Sequence, residues 1–239
     1  MISALIFAGG TGQRMNTRTK PKQFLELHGK PIILYTLEHF EEHPDIDSIV
    51  IVCIEDWVRD LRRIIEHYSF SKISQIVNGD NRGADKSIYN GLQAMNEVCG
   101  DEDIVLIHDG VRPLIDSDII SANIAKAKEC GTAITVEPVV ESVVRLDEKG
   151  LIIENPPRHE MYSAKAPQSF RFGLIWDLYK RANNDGQRTI DSSHLCSLYG
   201  VTLHTVMSSE NNLKITKPAD YYIFRALYEA MENKQILGC

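Results

Sequence analysis

Two rhythms of apolar residues alternate along the chain. Runs dense in Ile and Val at Ile2–Phe7, Ser48–Ile54, Ile73–Val77 and Ile104–Ile107 have strand length and little polar interruption. Between them, Ile32–Glu42, Trp57–Tyr68 and Asp85–Val98 space their apolar residues three or four apart, the period of one helix face. Asp118–Glu129 continues that style and Ala133–Val136 adds another strand. This cadence predicts right-handed βαβ units and a mainly parallel sheet buried on both faces, an α/β fold. After Val136 the rhythm changes. Val139–Leu146 and Leu151–Glu154 flank the turn signal Asp147-Glu-Lys-Gly150, which predicts a β-hairpin arm over 139–158, with Pro156-Pro157 stiffening its return. Leu174–Arg181 and Ser192–Leu198 read as helices, Leu203–Val206 as a strand, and Ala219–Glu232 as a closing helix opened by Pro218. No repeat or low-complexity linker divides residues 1–239, which read as a single domain.

Composition narrows the class without changing the fold. A chain of 239 residues, 43% hydrophobic and 25% charged, is ordinary for a globular domain with an ample core. No apolar run approaches the ~18–20 residues of a membrane span. The apolar N-terminus lacks the basic n-region of a signal peptide. Thirty-three acids against 26 bases give a net charge of −7, which weighs against nucleic-acid partners but leaves room for a local basic pocket. The 5 cysteines are odd in number and lack C-x-x-C spacing, so neither a disulfide framework nor a zinc site is expected. The expected compartment is the cytoplasm.

Ligands of open parallel sheets bind beyond the carboxyl ends of strands, and four peptides fall at such places. Phe7-Ala-Gly-Gly-Thr-Gly-Gln-Arg-Met15 follows the first strand; its glycines admit backbone N–H groups close to a phosphate, and Arg14 adds a charge. It is not a dinucleotide fingerprint, because Met15 stands where a small residue is needed, and it lacks the G-K-[ST] of a P-loop. A strand-to-helix turn with a surface arginine explains it equally well. In Lys20-Pro-Lys-Gln-Phe-Leu25, Pro21 fixes the loop direction, so Lys22 either meets the same anion or is solvated surface. Val105-Leu-Ile-His-Asp-Gly-Val-Arg-Pro113 ends a buried strand. There Asp109 suits a Mg²⁺ carried by phosphates, or else caps a helix or pairs with Arg112. Gly110 admits close backbone approach. His108 reads as a core histidine rather than an acid or base. In Glu210-Asn-Asn-Leu-Lys-Ile-Thr-Lys-Pro218, alternation sets Lys214 opposite Leu213 and Ile215, facing away from the core.

Taken in order, the pattern A-G-G-x-G-x-R-M, P-K-Q-F, H-D-G-V-R-P and N-L-K-I-T resembles the CTP-dependent polyol-phosphate cytidylyltransferases, over Ala8 to about Asp220. That family includes enzymes of isoprenoid synthesis, acting on methylerythritol phosphate, and of teichoic acid and capsule synthesis, acting on ribitol 5-phosphate. The resemblance implies a Rossmann-like nucleotidyltransferase fold, a three-layer sandwich, whose arm at 139–158 crosses to a partner subunit in a homodimer. It implies transition-state contacts from Arg14 and Lys22. It implies a CTP site from Phe7, Ala8, Gly9, Gly10, Thr11 and Gly12, from the Gly79–Ser87 segment with Asp80 and Arg82, and from Gly110 and Arg112. Asp109 takes the Mg²⁺ position. Arg158, arriving from the other subunit, and Lys214 take the acceptor phosphate, and Ala166 and Asp191 fall in the acceptor site.

Three departures mark where the match loosens. The family's G-G-x-x-R-x-x-S is Gly79-Asp-Asn-Arg-Gly-Ala-Asp-Lys-Ser87 here, with Arg82 displaced and Lys86 a possible substitute. Its T-P-Q is Ala166-Pro-Gln168 and its T-D is Ile190-Asp191, so two hydroxyls are missing where the polyol should lie. The Asp56-Trp57-Val58 stretch with the second and third peptides favours ribitol 5-phosphate as acceptor over methylerythritol 4-phosphate. A hexose-1-phosphate nucleotidyltransferase fits P-K-Q-F and H-D-x-x-R-P less well. An NAD-dependent reductase lacks its small residue at Met15, and a non-catalytic binding protein need not keep Arg14, Lys22, Asp109 and Lys214.

Overall fold

The computed structural model describes residues 1–9, 20–80 and 82–237. Along the chain come β1 (Ile2–Ala8), the short ribbon β2 (Glu26–Leu27) and β3 (Lys30–Pro31), α1 (Ile32–Glu42), β4 (Ser48–Cys53), α2 (Glu55–Tyr68), β5 (Ile73–Asn78), α3 (Ala84–Met95), β6 (Ile104–Asp109), α4 (Ser117–Cys130) and β7 (Thr132–Pro138). The arm carries β8 (Arg145–Leu146) and β9 (Ile152–Glu154). Then follow β10 (Tyr162–Arg171), α5 (Phe172–Asn184), α6 (Ser192–Leu198), β11 (Thr205–Met207) and α7 (Pro218–Leu237).

The seven-stranded sheet has the order β11-β7-β10-β6-β1-β4-β5. β1 pairs in parallel with β4 on one side and β6 on the other, and β10 alone runs antiparallel to both its neighbours. Alternate strand residues build two cores. Ile2, Ala4, Ile6, Ile104 and Leu106 face α1, α2 and α4, whereas Leu5, Val50, Val52, Val105 and Ile107 face α3, α5 and α6. Helix–sheet–helix layering follows from this alternation, because a parallel strand is covered on both faces. Close helix packing fixes small residues: a Cβ at Gly91 of α3 would stand 2.5 Å from Leu5 Cδ1.

The helices lie where the sequence places them, with ends moved by a few residues. The difference is β10, which the sequence reading does not anticipate. Its ten residues, Tyr-Ser-Ala-Lys-Ala-Pro-Gln-Ser-Phe-Arg, carry polar groups and a proline. A proline lacks the N–H of a central strand and is tolerated at irregularities. Pro167 sits where the β7 pairing shifts register between Ala164 and Gln168. Because Gln168 pairs with Ile107, residues 164–166 run past the carboxyl end of β6. The arm is a hairpin with strands shorter than expected, turned by Gly150 at φ 80°.

Candidate active site

The strand order reverses between β1 and β6: the chain runs outward through β4 and β5, then returns to β6 beside β1. Ligands of open α/β sheets bind at such a switch point. Phe7 and Asp109 are register partners there, and both line a cavity of about 180 Å³. Its walls include Ala84 and Ile88 of α3, Arg112, Ala164–Gln168 of β10 without Pro167, Ile190–Ser192 and Lys214.

Asp109 is the electrostatic centre. Lys214 Nζ lies 2.6 Å from its Oδ1, and Arg112 Nε donates to its Oδ2 at 2.8 Å. Burial pushes this carboxyl up, but the Lys214 and Arg112 charges overcome it and hold the group well below the usual carboxylate range. Arg112 Nη1 also donates to the Asn212 carbonyl at 3.0 Å, which ties β6 to the segment that carries Lys214. Asp109 thus pairs with Arg112, one of the two readings, and also lines the cavity. Lys214, expected away from the core, finds this carboxylate rather than water.

The neighbouring His108 obeys the period of two. It points to the opposite face, packs against Phe40 with ring centroids 5.1 Å apart, and is fully buried. Burial and the Arg112 charge push its pKa down to about 3, so the ring is neutral and unsuited to proton transfer at neutral pH. Burial also pushes the Cys53 and Cys196 thiols up to about 12, which removes both as nucleophiles.

Lys22 opens a 3₁₀ turn over Lys22–Phe24 and donates from Nζ to the Ile215 carbonyl at 2.8 Å, one residue from Lys214. Gln23 anchors the turn to the end of β1 through a 2.6 Å bond from Nε2 to the Ala8 carbonyl. The Gly9 and Gly79 backbones converge on Ser87: a Cβ at Gly9 would stand 2.8 Å from Ser87 Oγ, and one at Gly79 3.3 Å. Ser87 Oγ accepts the Asp80 N–H at 2.9 Å. Gly110 packs against Ala8 and Ile33, and its N–H donates to the Phe7 carbonyl at 3.0 Å.

Other expected residues lie elsewhere. Gly10, Thr11, Gly12 and Arg14 are outside the described residues. Arg82 folds back onto Asp80, whose carboxyl it holds down to about 2, and is largely solvent-exposed. Lys86 reaches Asn183 Oδ1 at 2.8 Å. Arg158 is exposed at the base of the arm, with Nη1 3.3 Å from the Val140 carbonyl, and is not among the cavity residues of its own chain. Asp191 lines the cavity and also caps α6, accepting the His194 N–H at 2.8 Å.

Two cations escape the sequence reading. Lys165 lines the cavity and pairs with Glu137 Oε2 at 2.5 Å; with β10 unread, no pattern pointed it there. Arg188 bridges the β5–α3 and α5–α6 loops through Asp85 and the Arg82 carbonyl. Arg112, Lys165 and Lys214 thus outnumber Asp109 and Asp191 on the walls, an excess that suits polyanionic ligands.

The model of the family described as 2-C-methyl-D-erythritol 4-phosphate cytidylyltransferase (IspD) matches residues 2–229. The chain belongs to the IspD family. A protein of Streptococcus agalactiae serotype Ia named ribitol-5-phosphate cytidylyltransferase is 44% identical over 239 residues, 100% of both chains. A Clostridium botulinum (strain Loch Maree) protein named 2-C-methyl-D-erythritol 4-phosphate cytidylyltransferase is 36% identical over 96% of this chain and 98% of its own. A crystal structure of 4-diphosphocytidyl-2C-methyl-D-erythritol synthase from Anaerococcus prevotii superposes with a TM-score of 0.82 at 26% identity, over 95% of this chain and 96% of that one. The mostly parallel sheet is therefore the IspD fold, and the chain is an enzyme of the cytidylyltransferase kind.

Proposed function

We propose that the chain moves CMP from CTP to ribitol 5-phosphate, giving CDP-ribitol and pyrophosphate. The observation that carries this is the cation-rich cavity around Asp109 at the β1/β6 switch point, with Lys22 held beside Lys214. A phosphate monoester has its second pKa at about 6 and is already a charged nucleophile at neutral pH, so no base is needed. Its oxygen attacks the α-phosphorus, a new P–O bond forms, and the bond to the β-phosphate oxygen breaks with pyrophosphate leaving. The barrier is electrostatic, and preorganised cations and N–H groups lower it. Ribitol is preferred because the full-length relative at 44% identity bears that name, against 36% for the methylerythritol relative.

A magnesium ion fits this site. Asp109 is a hard oxygen donor on the cavity wall, and Lys214, on a flexible stem, can yield its Oδ1. Mg²⁺ is commonly held by one or two carboxylates together with substrate phosphates and water. Bound through Asp109, it would neutralise charge on the phosphates. A reaction that uses CTP fits a cytoplasmic enzyme. Among the described residues no helix is long and apolar enough to cross a membrane.

The test offers CTP and Mg²⁺ with ribitol 5-phosphate, methylerythritol 4-phosphate or glycerol 3-phosphate in parallel and measures pyrophosphate. Release with ribitol 5-phosphate is expected to exceed the others at least tenfold. Preference for methylerythritol 4-phosphate moves the acceptor, and silence with all three defeats the reading.

The same reading makes the protein a homodimer. The arm exposes Val140, Leu146, Leu151, Ile152 and Ile153, each more than half accessible, in the segment that ends at Arg158. Apolar surface concentrated in this way marks an interface, and a partner there would bring its own copy of the Arg158 position towards the acceptor. Light scattering is expected to give twice the 27.0 kDa chain mass. In L146E/I153E it should give one chain mass, with a raised KM for the acceptor. A monomeric wild type at tens of micromolar rules the arm out as an interface.

A further inference from the structure

The loop between α5 and α6 ends in Arg188-Thr-Ile-Asp191, and the loop between β5 and α3 includes Arg82 and Gly83. On the cytidylyltransferase reading the first serves the acceptor and the second the nucleotide. One side chain joins them. Arg188 Nε lies 2.7 Å from Asp85 Oδ2 and Nη2 lies 3.1 Å from Oδ1, a two-point pairing with a carboxylate that is 6% exposed. The same Nη2 donates to the Arg82 backbone carbonyl at 2.6 Å. A planar guanidinium holds such a fork with directional strength that a lysine does not reproduce.

Both ends of this bridge are braced. Asp85 lies in the first turn of α3, two residues before Ser87, whose Oγ accepts the Asp80 N–H. On the other side, the Thr189 hydroxyl donates to the Asp191 carbonyl at 2.6 Å, and the Asp191 carboxylate takes the His194 N–H and the Ser193 hydroxyl, both at 2.8 Å. Gly83 lies directly against this bridge. A Cβ there would overlap Arg188 Nη2 and stand 2.5 Å from Asp85 Oδ1. The guanidinium occupies the space that any larger residue at 83 would fill.

We propose that Arg188 is a positioning residue that locks the nucleotide loop to the acceptor loop, so that each substrate tightens the binding of the other. The proposal rests on the cytidylyltransferase reading. A ligand that engages the backbone at Asp80 and Arg82 fixes the Arg82 carbonyl, and with it Arg188 and the Thr189–Asp191 turn. The second ligand then meets a loop already held in place, and such coupling is reciprocal.

The test measures affinity by calorimetry for a CTP analogue with a methylene between the α- and β-phosphates, which cannot react, with and without saturating ribitol 5-phosphate. Coupling between sites commonly runs about 5- to 150-fold. Wild type is expected to fall in that range, with the same ratio when the order of addition is reversed. R188A should bring the ratio to near 1, R188K should keep part of it, and G83A, which retains the arginine but displaces it, should match R188A. A ratio that survives in R188A and G83A, even with lowered thermal stability, makes the arginine merely structural and overturns the proposal. Wild type that binds the analogue without coupling also overturns it. Wild type that binds no analogue overturns the cytidylyltransferase reading and the lock together, so the two failures are told apart.

Discussion

Replacing Lys22 by alanine is expected to lower turnover by about 10²–10³-fold, the loss that follows removal of one preorganised donor from a developing oxyanion. The argument starts from rigidity rather than charge. Pro21 holds an extended backbone at φ −59°, ψ 149°, and the 3₁₀ turn after it is pinned on three sides. Gln23, 1% exposed, bonds the Ala8 carbonyl at the end of β1, and Phe24 stacks on Trp57 at 4.6 Å between ring centroids. The ammonium is fixed by the Ile215 carbonyl at 2.8 Å, in the segment that delivers Lys214. On the proposed reaction, a cation held this way needs little reorganisation when charge builds on the α-phosphate, and is expected to act mainly on the transition state. The signature in K22A is a fall in kcat from steady-state pyrophosphate release, with CTP affinity by calorimetry changed only a few-fold. Arg14 is expected to behave alike on its sequence context alone. Turnover of K22A within tenfold of wild type removes Lys22 from the transition state.

What the sequence could disclose depended on the range of each interaction. The parallel half of the sheet was readable because β1, β4 and β6 are buried on both faces and appear as nearly continuous apolar runs, while the half-exposed edge strand β5 still shows Ile73, Ile76 and Val77. The end of a buried strand sufficed to set Asp109 at the carboxyl edge of the sheet, where the cavity lies, and His108 read as core, where it packs on Phe40. Period-two alternation sent Lys214 away from the core, but its partner is a carboxylate on a different element, which no local pattern encodes. β10 stayed hidden because Pro167 and the polar residues around it read as loop, and Lys165 stayed hidden with it. The altered spacing before Ser87 flagged Arg82 as out of place. Its destination is part local and part tertiary: Asp80, two residues earlier, takes its guanidinium, and the distant Arg188 donates to its carbonyl.

Asp109→Asn should cost about 3–5 kcal/mol of stability, the range for breaking a buried ion pair from one side. At about 2–4 °C per kcal/mol for a chain of this size, that is a fall of roughly 6–20 °C in Tm. The cause is Arg112, whose side chain is 7% exposed and loses the charge opposite Nε. Lys214, 38% exposed, can turn to solvent, so K214A should be much milder. The pH dependence separates lost charge from lost shape. Because the folded carboxyl sits far below its unfolded value of about 3.9, the unfolded chain takes up this proton first as pH falls. The stabilisation is complete above about pH 5 and drains away below pH 4. The Tm gap between wild type and D109N should therefore be constant from pH 8 to 5 and narrow towards pH 3, the other carboxylates cancelling because both proteins carry them. A gap that stays constant down to pH 3 assigns the loss to shape, and no gap at pH 7 denies the Arg112–Asp109–Lys214 cluster any part in holding the fold. Activity adds a second axis: D109N should be inactive even below its Tm, since the asparagine supplies neither the charge that holds Arg112 nor the anionic oxygen that the proposed magnesium ion would use.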